Sequence, residues 1–296
     1  MSTSSVIDEA QLQHLQSWVG RSETHREVIR SAPLCGLHAL LDREGPPPKD
    51  GDAVPPLGRW LYFLPQAAQA DIAEDGHPKK GGFLPPVPLP RRMWAGGRLQ
   101  WESGNPLRVG DEATLVSSIQ SVQHKAGRSG ELVFVVVRHE VSNAHGVCLS
   151  EEQDIVYRGA ADQAPSAPLP TPVLAPTDEQ FSRVFEPTPP ALFRYSALTF
   201  NAHRIHYDRP YATEVEGYAG LVVHGPLIAT LMVDLVERQC PGSRVSAFEF
   251  KAVRPTLDLH PFELCAKPIG EGVFQVWGRD AEGGLTMQGQ VSLLLN

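Results

Sequence analysis

The chain has 296 residues, of which 42% are apolar and 20% charged, and it carries a formal net charge of −8. That length exceeds one small core and suits a double-sized domain or two packed halves. The acidic balance, with no basic arm or Lys/Arg run to offset it, leaves nucleic acid out of the expected partners.

Four cysteines, Cys35, Cys148, Cys240 and Cys265, stand far apart with no C-x-x-C pair. This argues against a disulfide framework or a thiolate zinc site and fits reduced thiols in a cytoplasm. The opening MSTSSVIDEAQLQ has neither a charged n-region nor an apolar h-region, so no signal peptide is expected. The most apolar stretch, Leu221 to Val236, carries His224, Gly225, Pro226 and Asp234 and falls short of the ~20 apolar residues of a membrane span. A soluble, cytoplasmic protein without a membrane partner is expected.

In chain order, DEAQLQHLQSWVG predicts a short helix capped by Asp8, with Leu12, Leu15, Trp18 and Val19 on one face and Gly20 at its end. Prolines crowd the region from Pro46 to Pro90 and exclude long elements there, although Pro65 to Glu74 could form a short helix. Strands are predicted at Leu99–Glu102, Asp111–Val122, Glu131–Asn143 and Val147–Arg158, rich in β-branched residues and separated by KAGRSGE and NAHG. The proline-rich APSAPLPTPVLAPT follows and reads as a stiff linker between halves.

Beyond it, Phe193–Ser196 reads as a strand leading into YSALTFNAHRIHYD. Gly225 and Pro226 then open a helix, LIATLMVDLVERQ, whose first two turns are apolar nearly all round, so it should be buried and wrapped by a sheet. Strands at Arg244–Val253, Phe262–Lys267, Val273–Arg279 and Leu285–Leu295 complete the chain, with GEG and AEGG as hairpin turns. The halves repeat each other: LQWESGNPLRVGDEATL lies over FEFKAVRPTLDLHPFEL without a gap, setting Leu99 on Phe248, Trp101 on Phe250 and Pro106 on Pro255. Duplication of one helix-plus-sheet unit places the chain in the α+β class.

The chemistry concentrates between Tyr195 and Asp208, where Asn201, His203, Arg204, His206, Tyr207 and Asp208 crowd together, with His224 and Gly225 following at the helix start. A metal set of His203, His206 and Asp208 is opposed by the permanent charge of Arg204, and none is expected. Local hydrogen bonding in a surface loop is the competing account. As a chemical site, a histidine titrating near neutrality can move a proton. An amide or carboxylate can hold a water, and the free N–H groups of a helix start can meet a developing oxyanion. At GP the donor is the N–H of Gly225 or Leu227, since proline has none.

These residues resemble the MaoC-like, R-specific enoyl-CoA hydratase branch of the hot-dog fold, whose motif runs roughly Tyr-x-Ser-Gly-Asp-x-Asn-Pro-x-His before a Gly-containing segment that opens the central helix. His206 stands at the catalytic histidine, Asn201 at the catalytic aspartate and His203-Arg204 at Asn-Pro, while HGPL at 224–227 matches the oxyanion segment. TFNAHRIHYD, LPRRMWAGGRL and RWLYFLP narrow the likeness to the branch holding itaconyl-CoA and mesaconyl-C4-CoA hydratases and mitochondrial-type hydroxyacyl-thioester dehydratases.

The resemblance implies a double hot-dog: a catalytically decayed unit at 1–160, a linker at 161–187 and a catalytic unit at 188–296. Overlaying RSAPLCGLHALLD on the motif puts Gly36 opposite Asn201 and Leu41 opposite His206, so the first half lacks the dyad. It implies a hydro-lyase on short acyl-CoA thioesters, itaconyl-CoA or mesaconyl-C4-CoA giving citramalyl-CoA, with a general R-3-hydroxyacyl-CoA or acyl-carrier dehydratase as the alternative. A thioesterase or a non-catalytic acyl-thioester binding module are the readings from other classes. No cofactor is expected beyond the CoA of the substrate, and pairing into a homodimer is compatible with the architecture.

Within that reading, His206, Asn201 and Asp208 are the catalytic candidates, and Gly225 is the oxyanion donor. Asn201 cannot take a proton, so either His206 acts alone on a water held by Asn201 or Asp208 supplies the carboxylate. Tyr195, His203, Tyr207 and His224 complete the substrate-binding candidates. A dicarboxylate half-thioester would also need a cation for its free carboxylate, for which Arg91, Arg92, Arg98 and Arg204 are candidates.

Overall fold

The computed structural model describes residues 7–127, 130–159 and 173–294. Helix α1 (Glu9–Gln16) starts at a capping box in which the Gln11 N–H donates to the Asp8 carboxylate and the Asp8 N–H to the Gln11 side chain. The first half continues through β1 (Ser22–Val28), α2 (Ser31–Leu40), β2 (Arg91–Trp101), β3 (Glu112–Gly127), β4 (Gly130–Asn143) and β5 (Gly146–Arg158). The second half holds β6 (Phe181–Phe185), α3 (Pro189–Leu198), α4 (Gly225–Gln239), β7 (Val245–Ala252), β8 (Phe262–Gly270), β9 (Val273–Arg279) and β10 (Leu285–Leu293).

All ten strands join one antiparallel sheet in the order β1-β3-β4-β5-β2-β7-β10-β9-β8-β6. Each half contributes five strands in the same order, reflected about the β2–β7 seam. In that seam Leu99 faces Phe248, the same two residues that the sequence repeat superposes, so the pseudo-twofold axis passes through this pair. Gly96 lets the strands meet there, because a Cβ on it would come within 2.5 Å of the Phe250 carbonyl oxygen.

Alternation sets the core face: Val133, Val135, Val137 and Val141 on β4 all point inward and are buried. Helix α4 is buried along Leu227–Val236 and packs against β6 to β10. Burying its Leu, Ile, Met and Val side chains stabilises the fold by roughly 1.5–3 kcal/mol each. Among the described residues no helix is long and apolar enough to cross a membrane.

The structure departs from the sequence reading in several places. Phe193–Ser196 is helical, since the Thr188 hydroxyl caps α3 by accepting the Ala191 N–H and prolines fill its first turn. The short helix expected at Pro65–Glu74 shrinks to a 3-10 turn at Gln69–Asp71, and among the described residues the first half has no counterpart of α4. A second 3-10 turn, Gly58–Leu61, is pinned instead by the buried Glu151, which pairs with Arg59 and accepts the Trp60 indole N–H at 3.1 Å. Trp94 lies within β2, edge-on to Trp60 at 4.9 Å. The expected linker at 161–187 contains β6, while its residues up to 172 lie outside the described residues.

The overlay of the two motifs also changes. Both α2 and α3 follow the first strand of their half, and each is followed by a residue with positive φ, Asp42 at 51° and Phe200 at 48°. That register sets Arg43 opposite Asn201 and Pro48 opposite His206. Gly36 lies instead in mid-helix against Leu198 of α3. The first half still lacks the dyad.

Candidate active site

Helix α3 ends at Leu198, and Phe200, in the left-handed region although not glycine, reverses the chain. The Asn201 N–H then donates to the Ser196 carbonyl at 2.9 Å, and its side-chain oxygen accepts the His203 N–H at 2.9 Å. This Asx turn, the asparagine counterpart of a backbone turn, feeds the 3-10 turn Arg204–His206 into the site.

The His206 ring is buried, its Nδ1 lies 2.7 Å from the Val222 carbonyl oxygen, and the Val222 N–H donates back to the Ile205 carbonyl at 2.9 Å. A carbonyl can only accept, so Nδ1 carries the proton and Nε2 keeps its lone pair. Burial pushes the His206 pKa down to about 4, so the ring is neutral near pH 7. His206 stacks on His224 with centroids 3.8 Å apart and 18° between planes.

His224, at the N-cap of α4, is 1% exposed. Its Nε2 lies 2.8 Å from the Ser196 hydroxyl, and Tyr195 packs edge-on to its ring at 5.1 Å. Burial holds its pKa well below the ordinary histidine value. Directly after it, Gly225 and Pro226 open α4, where a first-turn N–H has no intrahelical acceptor.

His203 extends the row. It meets His206 edge-on at 5.4 Å and, on its other side, His77 of the first half at 4.0 Å. Sequence reading missed His77, which lies in the proline-rich region more than a hundred residues away. Asp75 accepts both the His77 N–H at 2.9 Å and the His77 ring at 3.0 Å. The Arg204 N–H donates to the Asp75 carbonyl, docking this turn onto the motif. Gly76 is required there, at φ 91, since a Cβ on it would come within 1.8 Å of the Ala202 carbonyl oxygen. Burial and the neighbouring His77 lower the His203 pKa to about 2. One acidic and two imidazole ligand atoms, from Asp75, His77 and His203, lie within 4.8 Å of one another. His206 and Asp208, weighed with His203 as a metal set and set aside on the sequence, are not part of this group.

Other candidates are committed elsewhere. The Asp208 carboxylate accepts Arg204 Nε and Nη2 at 2.9 and 2.8 Å and the Tyr211 N–H at 3.2 Å. Arg204 also lies over the Tyr211 ring at 4.0 Å, and the Tyr207 hydroxyl donates to the Ala202 carbonyl on the exposed side. Arg98 is held by Glu152 and Asp154 on an exposed face of β2 and β5. Arg91 pairs with Glu216. Arg92 has no carboxylate partner among the described residues.

Residues 57–258 match the family model of hydroxyacyl-thioester dehydratase type 2. The chain is 45% identical over 258 residues to a mesaconyl-C(4)-CoA hydratase of Chloroflexus aurantiacus, covering 87% of this chain and 90% of that protein. It is 27% identical over 243 residues to the mitochondrial hydroxyacyl-thioester dehydratase type 2 of Schizosaccharomyces pombe, covering 74% and 79%. In fold it is similar to a MaoC-like dehydratase of Phytophthora capsici, with a TM-score of 0.67 at 15% identity over 96% of this chain and 99% of that one. A Mycobacterium tuberculosis protein described as a double hotdog fold aligns with a TM-score of 0.57 at 13% identity, covering 93% and 96%.

Proposed function

Since the chain belongs to the hydroxyacyl-thioester dehydratase type 2 family, we propose that it adds or removes water at the α,β-double bond of a short acyl-CoA thioester, with mesaconyl-C4-CoA to citramalyl-CoA as its reaction. The single observation carrying this reading is His206, whose Nδ1–H is tied to the Val222 carbonyl while Nε2 is left as a base beside the start of α4.

In the hydration direction, His206 Nε2 takes a proton from a water held by the Asn201 amide. The water oxygen bonds to the β-carbon, and the π electrons move toward the thioester oxygen. The Gly225 N–H meets the charge growing there, and His206 returns its proton to the α-carbon, so one water is added and the base is restored. Asn201 suits the water-holding role because its oxygen is already fixed by the His203 N–H, which sets the direction of its amide N–H groups. The substrate follows the 45% identical relative, which is a mesaconyl-C(4)-CoA hydratase. A thioesterase reading finds both carboxylates of the central helix committed, Asp234 to Arg43, Arg183 and Arg238, and Glu237 to Arg43.

The test is incubation with crotonyl-, itaconyl- and mesaconyl-C4-CoA, following enoyl-thioester absorbance and product mass. Gain of one water supports the reading, whereas release of free CoA, or no change with any of the three, overturns it. His206→Ala should abolish turnover while leaving the fold intact, and wild-type rates in that variant would end the assignment. Asn201→Ala should lower kcat by roughly 100-fold, and more than Asp208→Ala does.

A further inference from the structure

The free carboxylate of mesaconyl-C4-CoA is bonded to the β-carbon, the same carbon that receives the water. Its binding partner must therefore lie within a few ångströms of the base, not at the far end of an acyl tunnel. This removes most cations on chemical grounds alone.

Of the four arginines that could serve, three are spent. Arg91 pairs with Glu216, Arg98 with Glu152 and Asp154, and Arg204 with Asp208 through two nitrogens. Arg92 is half-buried at the start of β2, opposite Tyr157 of β5, and sits against the Tyr157 phenol. It is near enough to both His77 and His203 to disfavour a positive charge on either ring. Asp75, the carboxylate of the same turn, has its oxygens on the backbone and ring N–H groups of His77 and makes no direct ion pair with Arg92. Lys80, the other cation nearby, donates its ammonium to the carbonyls of Val87 and Leu89. A partly desolvated guanidinium with no direct ion-pair partner among the described residues gains from an anion arriving from outside.

The row of rings then gives the placement. His77, His203 and His206 follow one another at 4.0 and 5.4 Å, a short file leading from the turn whose charge Arg92 influences to the base. We propose that Arg92, flanked by His77 and His203, binds the free carboxylate of a dicarboxylic half-thioester and selects it over a neutral enoyl thioester. The subsite is built across the seam: Arg92 and the Asp75–His77 turn come from the first half, His203 and His206 from the second. The half without a base thus contributes the specificity element, which rests on the hydro-lyase reading above and deepens it.

The discriminating probe is 3-methylcrotonyl-CoA, in which a methyl replaces the carboxylate on the β-carbon. For the full-length chain, kcat/KM is measured with mesaconyl-C4-CoA and with 3-methylcrotonyl-CoA in wild type, Arg92→Gln and His77→Gln. The wild type should favour the carboxylate substrate. Loss of a bidentate contact should reduce the ratio of the two kcat/KM values in Arg92→Gln by roughly 30- to 100-fold, mainly through KM. His77→Gln should reduce the same ratio by a smaller factor, and unchanged thermal melting of both variants separates binding from folding. If both substrates lose activity in parallel, or Arg98→Gln shifts the ratio as much as Arg92→Gln, the subsite is refuted while the hydro-lyase reading stands. If the wild type hydrates neither thioester, it is the hydro-lyase reading that fails.

Discussion

Asp234 on α4 should be among the most damaging positions to neutralise. Its carboxylate is 1% exposed and accepts Arg43 Nε at 2.6 Å, Arg183 Nη1 at 2.6 Å and Arg238 Nε at 2.8 Å. Arg43 and Glu237 also pair, but burial pushes the Glu237 pKa up, so this second carboxylate is a reluctant substitute. Replacing Asp234 with Asn keeps the shape and removes the charge, leaving three guanidinium groups to share Glu237. Breaking a buried charge pair costs about 3–5 kcal/mol. The side chains of the three arginines are 27%, 25% and 29% exposed, so water compensates them in part and the lower end applies. About 3 kcal/mol corresponds to a fall of roughly 6–12 °C in Tm for a domain of this class. Urea unfolding at pH 7, run beside a thermal melt, measures it. A loss under about 1 kcal/mol would refute the reasoning, because it would mean that a cluster joining Arg43 of the first half to α4 contributes no more than a surface pair.

Two further outcomes follow from the histidine row and its docking turn. Gly76→Ala should detach the 75–77 turn from Ala202, lowering kcat/KM about tenfold along with Tm, since φ 91 and the 1.8 Å approach both oppose a side chain; wild-type kinetics would show the turn to be dispensable. Acid should destabilise the protein well above the carboxylate range. The folded pKa values of His139 and His206 are pushed down to about 4 by burial, below the ordinary 6.5, so the unfolded chain binds more protons and stability falls as pH drops from about 6.5 toward 4. Each group should lose about 2 kcal/mol between pH 7 and pH 5. Denaturation curves at those two pH values check this, and a flat stability would contradict the burial of both rings.

What the sequence made legible depended on how local the cause was. Helix α4 was readable because Gly225, Pro226 and the all-round apolar run are contiguous, and the Asp8 capping box because its partners are three residues apart. Helix α3 was mistaken for a strand although TPP, the cap and first-turn signal, stood just before it. Strand β1, SETHREV, went unseen because it is a polar sheet edge with no buried face to impose alternation. Of the site, the segment 201–208 and His224 were visible as a motif. His77 and Asp75 were not, because their place is set by a contact between segments more than a hundred residues apart, held by the Arg204 N–H and the close approach at Gly76. The sorting of the four arginines into spent and free likewise required the fold.

The pseudo-twofold axis through Leu99 and Phe248 also governs what mutation can do here. In an assembly of two identical subunits every substitution appears twice, so a change that improves one copy of a site alters the other as well. Joining the copies in one chain uncouples them. Arg43 pairs with Asp234 while Asn201, at the matching position, holds the turn at the His203 N–H. The covalent connection also fixes the stoichiometry and removes the dependence on concentration that pairing of separate subunits would impose.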